Sequence, residues 1–98
     1  MNFLSELKKV FQALAHHLTA EQKENFLSYY YFDLKRFKKT LGKYLTENHL
    51  KPNDPLFKEY TNAGILVVDD MLMLTIVLYY MHLSLLFPDR EHYYTLGH

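Results

Sequence analysis

The chain has 98 residues, of which 49% are hydrophobic and 22% are charged, and its acidic and basic residues balance to no net charge. A disordered chain needs lower hydrophobicity or a larger net charge, so this composition predicts one folded domain. The absence of cysteine excludes disulfides, thiol catalysis and thiolate metal sites, and the zero net charge is far from the strong basicity of a dedicated nucleic-acid binder.

The first predicted helix covers residues 3–18. Apolar side chains recur there every three or four positions, which is the period of one helical face. Glu6 interrupts the apolar stretch that a secretory signal would need, so no such signal is predicted. The expected core face consists of Phe3, Leu4, Leu7, Val10, Phe11, Leu14 and Leu18.

The second predicted helix covers residues 20–46. Thr19 followed by Gln22 matches a capping box, in which each residue's side chain bonds the other's backbone N–H. At about 1.5 Å per residue this helix would be roughly 40 Å long. Its expected core stripe consists of Leu27, Tyr30, Leu34, Phe37, Leu41, Tyr44 and Leu45.

The third predicted helix covers residues 55–63 and follows a loop at residues 47–54. Asp54 is a suitable N-cap, and Pro55 is a suitable first helical residue. Gly64 leaves two possibilities. It either ends this helix after Asn62 or lies inside a longer helix that it weakens by about 1 kcal/mol.

The fourth predicted helix covers residues 65–87, is closed by Pro88 and is followed by a tail at residues 89–98. A helical wheel shows no polar face, so this helix is either buried on all sides or spans a membrane. The 17 residues from Met71 to Phe87 carry no formal charge, which is slightly short of the ~18 to 20 that a span needs. Burial is therefore favoured, and the surface that the other helices leave uncovered predicts a homodimer.

A basic face with aromatic residues is predicted on the second helix, opposite its core stripe. A cationic face is usually just the solvent-exposed side of a helix, but a phenylalanine within such a face is less expected. Aromatic residues among lysine and arginine suit stacking on nucleic-acid bases, docking of an acidic protein or contact with an anionic membrane. The expected partner-binding residues are Tyr29, Phe32, Lys35, Arg36, Lys39 and Lys43.

Catalytic and metal-binding motifs are missing from the sequence. None of the six histidines has the i, i+4 spacing of a helical zinc pair, and no nucleophile elbow, P-loop or glycine-rich dinucleotide motif occurs. We therefore expect no enzyme activity, no metal and no cofactor.

These patterns together predict an all-α protein, a three- to four-helix bundle built around the central apolar C-terminal helix. In size and class the chain resembles small bacterial and phage proteins such as immunity proteins, anti-adaptors and inhibitors of host machinery. The expected function is a cytoplasmic protein-interaction module that regulates or inhibits one partner protein. Alternatives are a nucleic-acid-binding regulator and, third, a membrane-associated protein. The residues assigned to the dimer or core side of the last helix are Leu74, Leu78, Met81, His82 and Leu85.

Overall fold

The computed structural model describes residues 2–28 and 37–86, and this part of the chain forms five α-helices and no strand. The all-α prediction is confirmed, but the described chain has five helices where three or four were expected. The predictions for Tyr29, Phe32, Lys35, Arg36 and the tail at 89–98 lie outside the described residues. The helices are α1 (Phe3–His17), α2 (Ala20–Ser28), α3 (Thr40–Asn48), α4 (Pro55–Asn62) and α5 (Val68–Leu86).

Helix α1 follows the predicted bounds closely. Asn2 caps it, because its Oδ1 accepts a hydrogen bond of 2.8 Å from the backbone N–H of Ser5. Most of the predicted core face is buried, but Leu4 is 59% exposed, so its assignment to the core was wrong. The buried members of that face are Leu7, Val10, Phe11 and Leu14, and Phe3 and Leu18 pack against them.

The capping box at the start of α2 is confirmed. The backbone N–H of Thr19 donates to Oε1 of Gln22 at 2.8 Å, and the N–H of Gln22 donates to Oγ1 of Thr19 at 3.1 Å. Two backbone donors at the helix start are therefore satisfied without water. Further along α2, Phe26 and Leu27 are buried in the core.

The single helix predicted for residues 20–46 is interrupted. Phe37 and Lys38 form a short 3₁₀ turn, Lys39 lies in a turn, and α3 begins at Thr40. The hydroxyl of Thr40 donates to the carbonyl of Phe37 at 3.2 Å, a local side-chain bond of the kind that competes with helical pairing. The core stripe nevertheless holds where it is described, since Leu27, Leu41 and Leu45 are buried and Phe37 and Tyr44 pack against the core.

Gly64 ends α4 rather than lying inside a longer helix. Its φ of +91° is a conformation that side chains with a Cβ rarely adopt. The N–H of Gly64 donates to the carbonyl of Thr61 at 3.0 Å, and the N–H of Ile65 donates to the carbonyl of Tyr60 at 2.9 Å. These two bonds form a Schellman motif, which closes the helix and reverses the chain.

Helix α5 begins at Val68, three residues later than predicted, because residues 65–67 are not helical. One side of α5 is buried along its whole length. The main contacts of α2 and α3 are with α5, whereas α1 packs chiefly on α4. The described helices therefore bury one side of α5 and leave a stripe uncovered, as the sequence predicted. Its buried residues are Met71, Leu72, Thr75, Ile76, Tyr79, Tyr80 and Leu83.

Candidate protein interface

The side of α5 that faces away from the other helices is apolar over nearly its whole length. We call this the outer face of α5. Four of its apolar residues are half-buried at the edges of the packed core, and its two apolar residues near the C-terminal end are exposed. An apolar helical face without a packing partner marks an interaction site more often than a free surface. The outer face consists of Asp70, Met73, Leu74, Val77, Leu78, Met81, Ser84 and Leu85.

A shallow groove lies at the N-terminal end of the outer face. The Schellman turn at Gly64 sends the next three residues past the start of α5, so that they form one wall of this groove. Leu66 is 72% exposed and Val67 is 55% exposed, which is unusual for adjacent large apolar residues. The groove is lined by Gly64, Ile65, Leu66, Val67, Asp70, Met73, Leu74 and Val77.

Large apolar side chains project from the other end of the outer face. Met81 is 51% exposed and Leu85 is 77% exposed. Between them, the hydroxyl of Ser84 donates to the carbonyl of Tyr80 at 2.9 Å, so its polarity is satisfied within the helix. One end of the surface is therefore concave and the other end projects.

Charge is sparse around this surface. Asp70 is the one charged residue of the outer face, and it lies at the groove end. The neighbouring Asp69 forms an ion pair with Lys38, beside the start of α3. The sequence carries no lysine or arginine from residue 59 to residue 86. The surface therefore offers nothing to neutralise a phosphate.

The residues predicted for the dimer or core side of α5 fall into two groups. Met81 and Leu85 are exposed, and Leu74 and Leu78 are half-buried, so these four belong to the outer face. His82 instead turns toward α1, where its ring stacks on Phe11 with centroids 4.7 Å apart. A wheel of the sequence could not separate these groups, because both sides of α5 are apolar.

The predicted basic face is described at only two of its six residues. Lys39 and Lys43 are both exposed and lie four residues apart, which places them on one side of the chain at the start of α3. The other four residues, Tyr29, Phe32, Lys35 and Arg36, lie outside the described part of the chain. The basic face therefore stays a prediction.

A separate pocket of about 240 Å³ lies between α1 and the loop before α4, and the charged or titratable residues that contribute to it are Glu6, Lys9, His49 and Asp54. Glu6 is 3% exposed and is paired with Lys9 at 3.4 Å. The Nε2 atom of His49 is buried without a hydrogen-bond partner. Desolvation by burial lowers the pKa of His49 from its usual 6.5, and the nearby Asp54 opposes this shift.

Sequence reasoning missed this pocket, because Glu6 was considered only as a break in an apolar stretch. Its position three residues after Phe3 and four before Val10, which places it on the buried side of α1, was the available signal. Among residues 2–28 and 37–86, no group of three or more histidine, aspartate or glutamate side chains is placed to hold a metal ion.

Helix α5 is long and apolar enough to cross a membrane, judged by length and composition alone. Core helices of soluble proteins pass the same criterion, and 39% of the most apolar 18-residue window of α5 is buried by the chain itself. A buried hydrogen bond also joins α5 to Tyr60 of α4 through Thr75. The arrangement is that of a helix with one packed side and one open side.

Comparison with protein-family models, with curated proteins and with solved structures gives no match for this chain. Its function therefore has to be inferred from the chemistry of its surfaces.

Proposed function

We propose that the protein is a small helical interaction module that binds the apolar face of a protein helix through the outer face of α5. The observation that supports this most directly is the largely apolar outer face from the Gly64 groove to Leu85, which the described helices bury only in part. A module of this kind acts by occupying its partner, so we propose a regulatory or inhibitory role.

The chemistry of the outer face favours protein over lipid or nucleic acid. A partner rich in phosphate needs cations, and this surface has none, while Asp70 adds a negative charge at its rim. Met73 and Met81 suit a helix-binding surface, because their flexible side chains adapt to the contour of an apolar partner. A helix laid along α5 would use anchors spaced three or four residues apart.

A nucleic-acid-binding regulator is the second candidate, and it would use a different surface. Lys39 and Lys43 are exposed near the start of α3, where they could contact a phosphate backbone. This second candidate function predicts nucleic-acid binding that weakens steeply as the salt concentration is raised. A gel shift with short RNA and DNA at low salt tests it. Loss of the shift in Lys39→Glu with Lys43→Glu would support it, and no shift for the wild type would remove it.

Thiol protection tests the proposed surface, because the chain has no cysteine of its own. Met81→Cys and Leu85→Cys place a single thiol on the outer face of α5, and Leu4→Cys places one on an exposed leucine of α1 as the matched control. Each variant is treated with a maleimide in nuclease-treated, membrane-free lysate. We expect the two α5 thiols to react slowly and the Leu4→Cys thiol to react fast.

The same labelling in denaturant is the control for the intrinsic reactivity of the three thiols. In urea all three thiols should react at similar rates, which shows that slow reaction in lysate reflects coverage rather than intrinsic reactivity. Equal rates for α5 and α1 thiols in lysate would contradict the proposed function. Recovery of the protein with the membrane fraction would favour the membrane-associated alternative instead.

A further inference from the structure

We propose that the protein helix bound by the outer face of α5 is α5 of a second copy, packed antiparallel about a two-fold axis near Val77. This inference rests on the proposed function, since it uses the same surface and names its occupant. It goes further in assigning the register, the orientation and the residues that meet.

The shape of the surface supports self-pairing. The groove at residues 64–67 is concave, and Met81 and Leu85 project at the opposite end of the same face. A two-fold axis across the middle of α5 brings the projecting end of each copy to the groove of the other. Such an isologous contact buries both ends at once, which a parallel arrangement does not do.

The spacing along α5 sets the register. Met73 and Met81 lie four residues on either side of Val77, or about 6 Å along the helix axis. In the antiparallel pair, Met81 of each copy therefore lies beside Met73 of the other. Leu85 then reaches the rim of the groove near Val67.

The position of the single acid on the face also selects the antiparallel orientation. Asp70 lies seven residues from Val77, so the two copies of Asp70 would be about 20 Å apart along an antiparallel pair. That separation exceeds the ~8 Å Debye length at physiological salt, so their repulsion is screened. A parallel pair would place the two carboxylates side by side across the interface.

The exposed apolar area supplies more than half of what a specific interface buries on each partner. The exposed fractions of Leu66, Val67, Met81 and Leu85 correspond to on the order of 450 Å² for each copy. Single apolar patches on monomers reach about 300–600 Å², and specific interfaces bury about 800 Å² per partner. The half-buried residues Met73, Leu74, Val77 and Leu78 add to this area in the proposed pair.

Disulfide trapping of single-cysteine variants tests the geometry. A disulfide needs Cα atoms within about 7 Å, so only residues at the two-fold axis can pair with themselves in an antiparallel dimer. We expect Val77→Cys to cross-link to itself under mild oxidation. Met81→Cys and Leu85→Cys should not, whereas a mixture of Met81→Cys with Met73→Cys should form the mixed dimer. Leu4→Cys is the control for random collision.

Mass measurement tests the dimer without cross-linking. Light scattering on the purified wild type should give twice the chain mass of 11.8 kDa. Leu85→Glu with Met81→Glu should give the mass of one chain and keep its helical circular dichroism, because both positions are exposed. If this pair of substitutions unfolds the protein, Leu85→Ser tests the same contact with a smaller change.

Three results would overturn the inference. Self-linking of Met81→Cys and Leu85→Cys would show a parallel pair, and the proposed function would survive. A wild-type monomer whose α5 thiols are open when purified but protected in lysate would show a different protein partner, and the proposed function would again survive. A monomer with α5 thiols open in both conditions would remove the inference and the proposed function together.

Discussion

The hydroxyl of Tyr60 lies 2.5 Å from Oγ1 of Thr75, and both side chains are fully buried. Thr75 donates its single hydroxyl proton to the carbonyl of Met71 at 2.7 Å, so Tyr60 must be the donor in the contact between them. These two consecutive hydrogen bonds link α4 to α5. Burial raises the pKa of Tyr60 to about 12, although the hydrogen bond with Thr75 acts in the opposite direction.

Substitutions of Thr75 and of Tyr60 should lower the free energy of unfolding by unequal amounts. Thr75→Val leaves the Tyr60 hydroxyl buried without an acceptor, which should lower the free energy of unfolding by about 1–3 kcal/mol. Tyr60→Phe removes one bond but leaves Thr75 bonded to Met71, so we expect a loss of about 1 kcal/mol. The double variant should lose less than the sum of the two. Urea denaturation of all four proteins measures this coupling, and additive losses would contradict the bond.

Tyr79→Phe should be neutral or stabilising, in contrast to Tyr60→Phe. The hydroxyl of Tyr79 is buried without a hydrogen-bond partner, and burial raises its pKa to about 12. Removing it relieves an uncompensated desolvation, while the ring keeps its contacts with Phe11 and Phe26. Urea denaturation of the two phenylalanine variants side by side checks this. A loss at Tyr79 as large as that at Tyr60 would show that the hydroxyl has a partner.

Alanine substitutions at two glycines should shift stability in opposite directions. Gly64→Ala forces a Cβ into the φ of +91° that closes α4, at a cost of about 1–2 kcal/mol. Gly42→Ala places its Cβ 3.7 Å from the nearest atom of Leu72, which is an ordinary contact, and should gain about 0.5–1 kcal/mol from helix propensity. Thermal and urea denaturation measure both. Stabilisation by Gly64→Ala would contradict the Schellman motif.

His49 should make the fold sensitive to mild acid. Its pKa is lowered in the folded protein by burial, so the unfolded chain takes up a proton near pH 6.5 while the folded chain still resists it. Stability should therefore be full above pH 6.5 and fall as the pH drops below that value. His49→Gln should reduce this fall between pH 7.5 and pH 5, measured by urea denaturation. An equal fall in His49→Gln and in the wild type would contradict this prediction.

Local features of the fold could be predicted because neighbouring residues determine them. The capping box at Thr19 and Gln22 needs only two side chains three positions apart, and α1 needs only its apolar period. The end of α4 was left open between two alternatives, since glycine permits a left-handed turn without requiring one. In the structure, Gly64 forms the turn that ends α4.

Other features depend on tertiary contacts and do not change the spacing of the apolar residues in the sequence. The stripe from Leu27 to Leu45 stays in phase across the turn at residues 37–39, so the interruption before α3 could not be seen. The two sides of α5 are similarly apolar, so a wheel could not show which side packs on α2 and α3. The outer face therefore emerged only from the structure, although an uncovered stripe had been predicted.

The packing of α2 and α3 on α5 has a consequence for synthesis on the ribosome. Both helices precede their main packing partner in the chain, so Phe26, Leu41 and Leu45 lack that partner until residues 68–86 have left the exit tunnel. A nascent chain arrested before α5 would expose these side chains to chaperones and proteases. Acquisition of protease resistance should thus be a late and abrupt event during translation, rather than a gradual one that follows each helix as it emerges.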